Sequence, residues 1–298
     1  MPLEGFISFA EISRSTGIEE SLLRRFFHHA MTNSLFVEPS PGFVAHTTLS
    51  RMLLINPDAF DALGFVLEEL IPASNQLLPA LAKYSNSSEP NETAFNIENK
   101  TSLSMFDYLA LNPERAQRLG AGMKFFTQGE GFDVKHLIAG NDWRSLDHPG
   151  AVVVDMGGGH GAVSQALASA TTNITFIVQD LAGTVNKGAS LLPDTLQGRV
   201  QFMKHDFFTE QVIKNADVYF FRWVFHNWSD TYCVQILQKL IPAMKKGGKV
   251  MLYEYALAEN PETKISEKLG RFISPPFTPL PTFETSANPP SPLSATST

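Results

Sequence analysis

The chain has 298 residues, room for one large or two moderate domains, and 43% of them are hydrophobic, an ordinary share for a globular protein. No run approaches the ~18 consecutive apolar residues of a membrane helix, and the amino end, with Glu4 and Glu11 and no Lys or Arg before Arg14, lacks the form of a secretory signal. A net charge of −7 argues against a nucleic-acid partner, and the single cysteine, Cys233, excludes an intrachain disulfide or a Cys-rich zinc site, so a reducing, cytoplasmic setting without membrane contact is expected.

Residues 1–60 open with a helix over Ser8–Ser15, where Ser8 and Glu11 have capping-box spacing and Thr16-Gly17 gives a stop. A second helix follows, with Ile18, Leu22, Leu23, Phe26, Phe27, Ala30 and Met31 at helical spacing. Leu35 to Ala45 reads as a β-hairpin turning at Pro41-Gly42. Helix, turn, helix and hairpin outline a winged helix. Residues 61–148 are expected to be mostly helical: Phe60–Tyr84 and Ser102–Phe126 carry apolar patterns, and the polar stretch Ser85–Thr101 between them reads as a loop.

From residue 149 strands and helices alternate. Ala151–Asp155, Ile174–Asp180, Arg199–Met203, Asp217–Val224 and Lys249–Tyr255 read as strands; Ala162–Ala170 and Thr231–Lys246 read as helices. That alternation implies α/β architecture with a parallel, doubly wound sheet, whose ligands bind at the carboxyl ends of the strands. The segment Ser274–Thr298, dominated by Pro, Ser and Thr, is expected to be disordered.

Chemistry concentrates at strand ends. Val152–Asp155 leads through Gly157, Gly158 and Gly159 into a helix, an arrangement that lets a ligand approach the backbone and meet free N–H donors. Gly157-x-Gly159-x-x-Ala162 also fits a dinucleotide fingerprint loosely, so a nicotinamide enzyme stays open. Asp155 is the discriminating residue: a carboxylate suits an ammonium and a sulfonium better than a diphosphate. Asp180 ends the second strand, where it can hydrogen-bond a ribose diol. Asp206 and Phe207 follow the third strand, where they can take an adenine amino group and ring face. His226 lies past the end of the fourth strand, and its ordinary pKa of about 6.5 suits a general base. Glu254, near the end of the fifth, can orient it and stabilise its imidazolium. His205 and Cys233 have no partner at metal-ligand spacing, and no metal role is assigned.

These motifs together resemble the caffeic-acid-type O-methyltransferases of plants and fungi. They are Asp155-Met156-Gly157-Gly158-Gly159-His160-Gly161, Gln179-Asp180-Leu181, His205-Asp206-Phe207-Phe208 and Arg222-Trp223-Val224-Phe225-His226-Asn227-Trp228-Ser229-Asp230. The resemblance implies a Rossmann-like methyltransferase sheet over 149–270, S-adenosyl-L-methionine as cofactor and a phenolic or polyketide-like aromatic as the small-molecule substrate. It implies Gly157, Asp180, Asp206, Phe207 and Arg222 at the cofactor, His226 as base and Glu254 as its partner. It places Phe106, Met123 and Phe126, with Phe125, against the substrate, in a helical 61–148 region. It makes the winged helix a dimerisation domain, hence a homodimer.

The resemblance also implies a further helix and two strands beyond Lys249–Tyr255. Here Leu269 leads into the 271–298 tail, so the methyltransferase domain is expected to be incomplete. The alternative to an active enzyme is then a truncated, catalytically impaired homologue that binds cofactor or a partner subunit without turnover. A DNA-binding winged helix is disfavoured, because Arg14, Arg24, Arg25 and Arg51 face a larger set of acids: Glu4, Glu11, Glu19, Glu20, Glu38 and Asp58.

Overall fold

The computed structural model describes residues 1–85, 87–127 and 132–254. The expected tail over 271–298, and the end of the 149–270 domain, lie outside the described residues.

In chain order, β1 (Phe6–Ser8), α1 (Phe9–Thr16), α2 (Glu20–Thr32), β2 (Phe36–Val37), β3 (Phe43–His46), α3 (Thr48–Ile55) and α4 (Pro57–Phe65) precede a π-helical turn at Val66–Leu70. The helices α5 (Ile71–Asn75), α6 (Leu77–Tyr84), α7 (Ala94–Asn99), α8 (Met105–Ala110), α9 (Pro113–Thr127), α10 (Val134–Gly140) and α11 (Trp143–Leu146) follow. The last third alternates β4 (Val152–Met156), α12 (Ala162–Ala170), β5 (Thr175–Asp180), α13 (Ala182–Ser190), β6 (Val200–Lys204), β7 (Val218–Arg222), α14 (Asp230–Leu240) and β8 (Lys249–Tyr253). No helix among the described residues is long and apolar enough to cross a membrane.

The chain divides into two compact units. The first joins Met1–Glu69 to Leu109–Phe132, so the 61–148 stretch is shared between the units. In it the Ser8–Glu11 capping box forms and Gly17 closes α1 with φ of 72°. Both flank a core of Phe9, Ile12, Leu23 and Val44. The hairpin gains an unforeseen third strand, β1, which pairs antiparallel with β3. Helix α9 packs on α4, where Gly122 leaves room for the Ala62 backbone. Paired charges reinforce that seam: Arg115 grips the buried carboxylate of Glu69, and Lys124 meets Asp58 at 2.6 Å.

The second unit comprises Leu70–Tyr108 and residues from Asp133 on. The expected loop over Ser85–Thr101 is corrected here. Its second half is α7, started by a capping box between Thr93 and Asn96 and anchored by buried Ala94 and Phe95. Asn96 also donates to the carbonyls of Thr101 and Leu103, which is why so polar a sequence folds locally.

The five-stranded sheet has the order β6-β5-β4-β7-β8, every neighbouring pair parallel. One face buries Val153, Phe176, Val178, Val218 and Phe220 under Leu167 and Ala168 of α12, Leu137 of α10 and Trp143 of α11. The other buries Val154, Met156, Tyr219 and Phe221 under Ile236 and Leu240 of α14. Each such large apolar side chain contributes roughly 1.5–3 kcal/mol by leaving water. Helix α14 stops at Leu240, short of the expected Lys246, because Pro242 has no N–H to continue it; a 3₁₀ turn over Ile241–Ala243 follows. The chain leaves β4 toward β5 and β6, then returns to β7 on the other side. The loops after β4 and β7 therefore diverge and open a crevice at the carboxyl edge of the sheet.

Candidate active site

The parallel register places the carboxyl ends of all five strands on one edge. Gly157 follows β4, Asp180 ends β5, Asp206 follows β6, Arg222 ends β7 and Glu254 follows β8. These sequence-selected residues therefore converge at the crevice, although the strands span a hundred residues of chain.

The glycine loop is built by its neighbours. The Gly157 and Gly158 N–H groups donate to the Gln179 carbonyl at 2.8 and 3.2 Å, and Gly161 N–H closes the turn on the Gly158 carbonyl at 2.9 Å. Gly157 and Gly159 have φ of 70° and 61°, a region where a side chain is strained. A Cβ on Gly157 would strike Val224, whereas one on Gly159 would meet nothing within 4 Å, so the backbone at Gly159 is open to a ligand.

Asp155 lies differently from the position its reading required. Its carboxylate is 2% exposed, beneath Gly158, and accepts from the Ser164 hydroxyl at 2.6 Å. It supports the loop from below instead of lining the crevice. Burial pushes its pKa up to about 6, with Ser164 opposing the shift. Asp180 is the acid nearer the opening: one oxygen accepts from Gly159 N–H at 2.9 Å and the other from Leu181 N–H at 2.7 Å. Its pKa is also raised, chiefly by burial. Asp206 is exposed and Phe207 half-buried, the latter reaching toward Gly157. Arg222 lies with its guanidinium 5.9 Å from the Tyr253 ring and 6.0 Å from the Trp223 ring, and burial lowers its pKa.

His226 sits in a 3₁₀ turn, Phe225–Asn227, directly after β7. Its Nδ1 is 2.8 Å from Glu254 Oε2. Glu254 Oε1 accepts from the backbone N–H groups of Val224 and Phe225 at 2.7 and 2.9 Å. One carboxylate thus anchors the turn and orients the ring. With Nδ1–H donated to Glu254, the Nε2 lone pair is left to take a proton.

Phe106 stacks on Trp228 at 6.0 Å and 29°, and Trp228 in turn stacks on Tyr232 at 5.9 Å. Phe207 and Phe208 meet Trp228 edge-on. A cleft lined by Pro90, Ser104, Met105, Phe106, Asn227 and Trp228 runs beside the His226 turn. The segment bearing Pro90 is tied to the start of α14: Ser229 donates to the Ser88 carbonyl at 2.9 Å and Tyr232 to Glu89 at 2.7 Å. Met123 and Phe126 lie on α9 of the first unit, where Phe126 contacts Phe125.

Sequence reasoning overlooked Ser164, Trp228 and the buried amide pair Gln179–Gln211. Those two amides exchange hydrogen bonds of 3.0 and 2.7 Å, and Gln211 also donates to the Met156 sulfur. Trp228 had a signal, lying two residues after His226 in the same motif; Gln211 had none.

A family model for the O-methyltransferase domain matches residues 89–274. Chlorophenol O-methyltransferase of Trichoderma longibrachiatum is 38% identical over 91% of this chain and 59% of its own length. O-methyltransferase AMT9 of Alternaria alternata is 40% identical over 89% of this chain and 61% of its own length. The chain therefore spans about three fifths of the length of these curated relatives. Among solved structures, LepI in complex with SAM shares the fold, with a TM-score of 0.74 and 19% identity over 93% of this chain and 72% of that one. By the family match and the identity to these relatives, the chain belongs to the O-methyltransferase domain family.

Proposed function

We propose that this protein transfers a methyl group from S-adenosylmethionine to a hydroxyl of an aromatic small molecule, phenolic or polyketide-like, with His226 as general base. The observation that carries the reading is the Glu254 carboxylate bound to the His226 turn and to Nδ1 at once. A histidine so held has one defined basic nitrogen. The name of the chlorophenol-methylating relative and the bound SAM of LepI support the substrate and cofactor classes.

The residues present fit the cofactor. The open backbone at Gly159, with Gly157 and Gly158, would hold its amino-acid part, and Asp180 its ribose. The exposed Asp206 and the Phe207 ring would hold the adenine, with Arg222 near the loop. Asp155 would act through Gly158. When bound, S-adenosylmethionine supplies an electrophilic methyl carbon on a positively charged sulfur. His226 Nε2 would take the hydroxyl proton as the acceptor oxygen gains the methyl group and the methyl–sulfur bond breaks with its electron pair left on sulfur, and Glu254 would stabilise the resulting imidazolium. Phe106, beside Trp228, is the proposed acceptor contact nearest this turn; Met123 and Phe126 stand as acceptor contacts on the resemblance alone.

The test is transfer of a labelled methyl group to a panel of phenols, beside calorimetry with the demethylated cofactor. His226→Ala should bind cofactor as the parent does and lose transfer by roughly 10²–10⁴-fold. Full transfer in that variant removes His226 as base. Binding by the parent without transfer to any phenol favours a homologue that holds cofactor without turnover.

We also propose that the first unit mediates homodimerisation. Phe6, Phe26, Ile55 and Phe60, four large apolar side chains, are each about 60% exposed there, and covering them would release that surface from water. Sedimentation of the parent against a Phe26→Glu, Phe60→Glu variant tests it; a monomeric parent counts against it.

A further inference from the structure

Trp223, the first residue after β7, has φ of 57°. Ser34, Lys100 and Asn215 share that left-handed region among the described non-glycine residues, and Trp223 is the one aromatic of the four. A bulky residue there is an outlier that its surroundings must hold in place.

The distortion has a geometric product. Trp223 N–H donates to the Tyr253 carbonyl at 3.3 Å. The next two N–H groups then turn together onto Glu254 Oε1. The Trp223 carbonyl accepts from Asn227 Nδ2 at 3.2 Å, closing the turn around His226. The indole meets the imidazole edge-on, ring centres 5.5 Å apart and planes at 87°.

The hydrogen bond from Nδ1 to Glu254 fixes one atom of the His226 ring. It leaves the ring free to tilt about that bond, which would swing Nε2 through an arc. A ring packed against the imidazole removes this freedom. We propose that Trp223 is a positioning residue that sets the tilt of the His226 ring and so aims Nε2 in one direction. The proposal rests on the reading of His226 as the base.

Trp223→Gly and Trp223→Asn suit the left-handed backbone and delete the indole, while Trp223→Phe keeps an aromatic ring. Two readouts are used on the whole protein. In histidine-labelled protein, the His226 Nδ1–H resonance, assigned by its loss in His226→Ala, is expected to be sharp in the parent and in Trp223→Phe. It is expected to broaden or vanish in the Gly and Asn variants. In methyl transfer, kcat is expected to fall roughly 10–100-fold in the Gly and Asn variants, with KM for both substrates little changed and most of the rate recovered by Phe. An unchanged resonance with parental kcat in either small variant overturns the proposal. So does a raised acceptor KM at parental kcat, which would make Trp223 an acceptor contact. The resonance is read without turnover, so an inactive parent would count against the base reading and leave the tilt measurable.

Discussion

Ser164 donates its hydroxyl to Asp155 directly beneath Gly158, holding a buried carboxylate under the loop that faces the crevice. The carboxyl group has a pKa of about 6 because burial penalises its charge more than the serine favours it. In the unfolded chain the same group titrates near 3.9. Between those values the folded state holds the extra proton, so stability falls as pH rises from about 4 to about 6 and the loss is complete above that window. Asp155→Asn removes this dependence. The variant should be more stable than the parent by up to roughly 3 kcal/mol at pH 8, and the advantage should vanish near pH 4. Thermal melts of both proteins at the two pH values check it; a difference that does not vary with pH would mean the carboxyl is not raised.

Glu254 and His226 should part company in stability. Glu254→Ala strips the Val224 and Phe225 N–H groups of their acceptor, at a cost of about 2 kcal/mol or more. His226→Ala leaves those two bonds in place and should change stability by less than about 1 kcal/mol. Both variants should lose methyl transfer. Urea denaturation beside the transfer assay distinguishes the two effects.

Two glycines of α13 predict opposite signs. A Cβ on Gly183 meets nothing within 4 Å, so Gly183→Ala should stabilise by about 0.5–1 kcal/mol through helix propensity. A Cβ on Gly188 would lie 2.5 Å from the Phe202 ring and 3.1 Å from the His160 backbone. Gly188→Ala should therefore destabilise by about 1–3 kcal/mol and push on the loop beside Gly159. Denaturation midpoints give the first comparison, and cofactor calorimetry gives the second.

Arg199 closes the end of α12. Its guanidinium donates to the carbonyls of Thr171, Thr172 and Ile174, with 2.6 Å to Thr172 and 2.7 Å to Ile174. Lysine has one ammonium where this site uses a fork, so Arg199→Lys should cost about 1–2 kcal/mol despite conserving charge. An unchanged urea midpoint would show that water satisfies these carbonyls equally well.

Much of the sheet was legible because it is buried on both faces. Runs such as Val152–Val154 and Val218–Phe221 have one physical explanation, and the glycines after the first of them mark where backbone must bend. Helix Ala162–Ala170 appears with the limits its pattern implied. The pairing of His226 with Glu254 was readable from their places near the carboxyl ends of two strands, since a parallel sheet brings such ends to one edge. What escaped depends on contacts distant in the chain or on elements too short to show a period. Helix α7 is six residues long, and its polar sequence hides the burial of Phe95. Strand β1 is three residues that acquire meaning only beside β3. Asp155 was read as facing the ligand because a carboxylate suits a positively charged cofactor; strand alternation and Ser164, nine residues on, send its carboxylate underneath.

Glu254 lies 28 to 30 residues after the groups it holds, on the far side of α14 and β8. The turn that carries His226, the proposed base, therefore acquires its anchor only when β8 has docked against β7. A nascent chain that has not completed this crossover possesses the histidine without its bearing. On the proposed reading of His226, transfer waits on the strand that brings Glu254 into place.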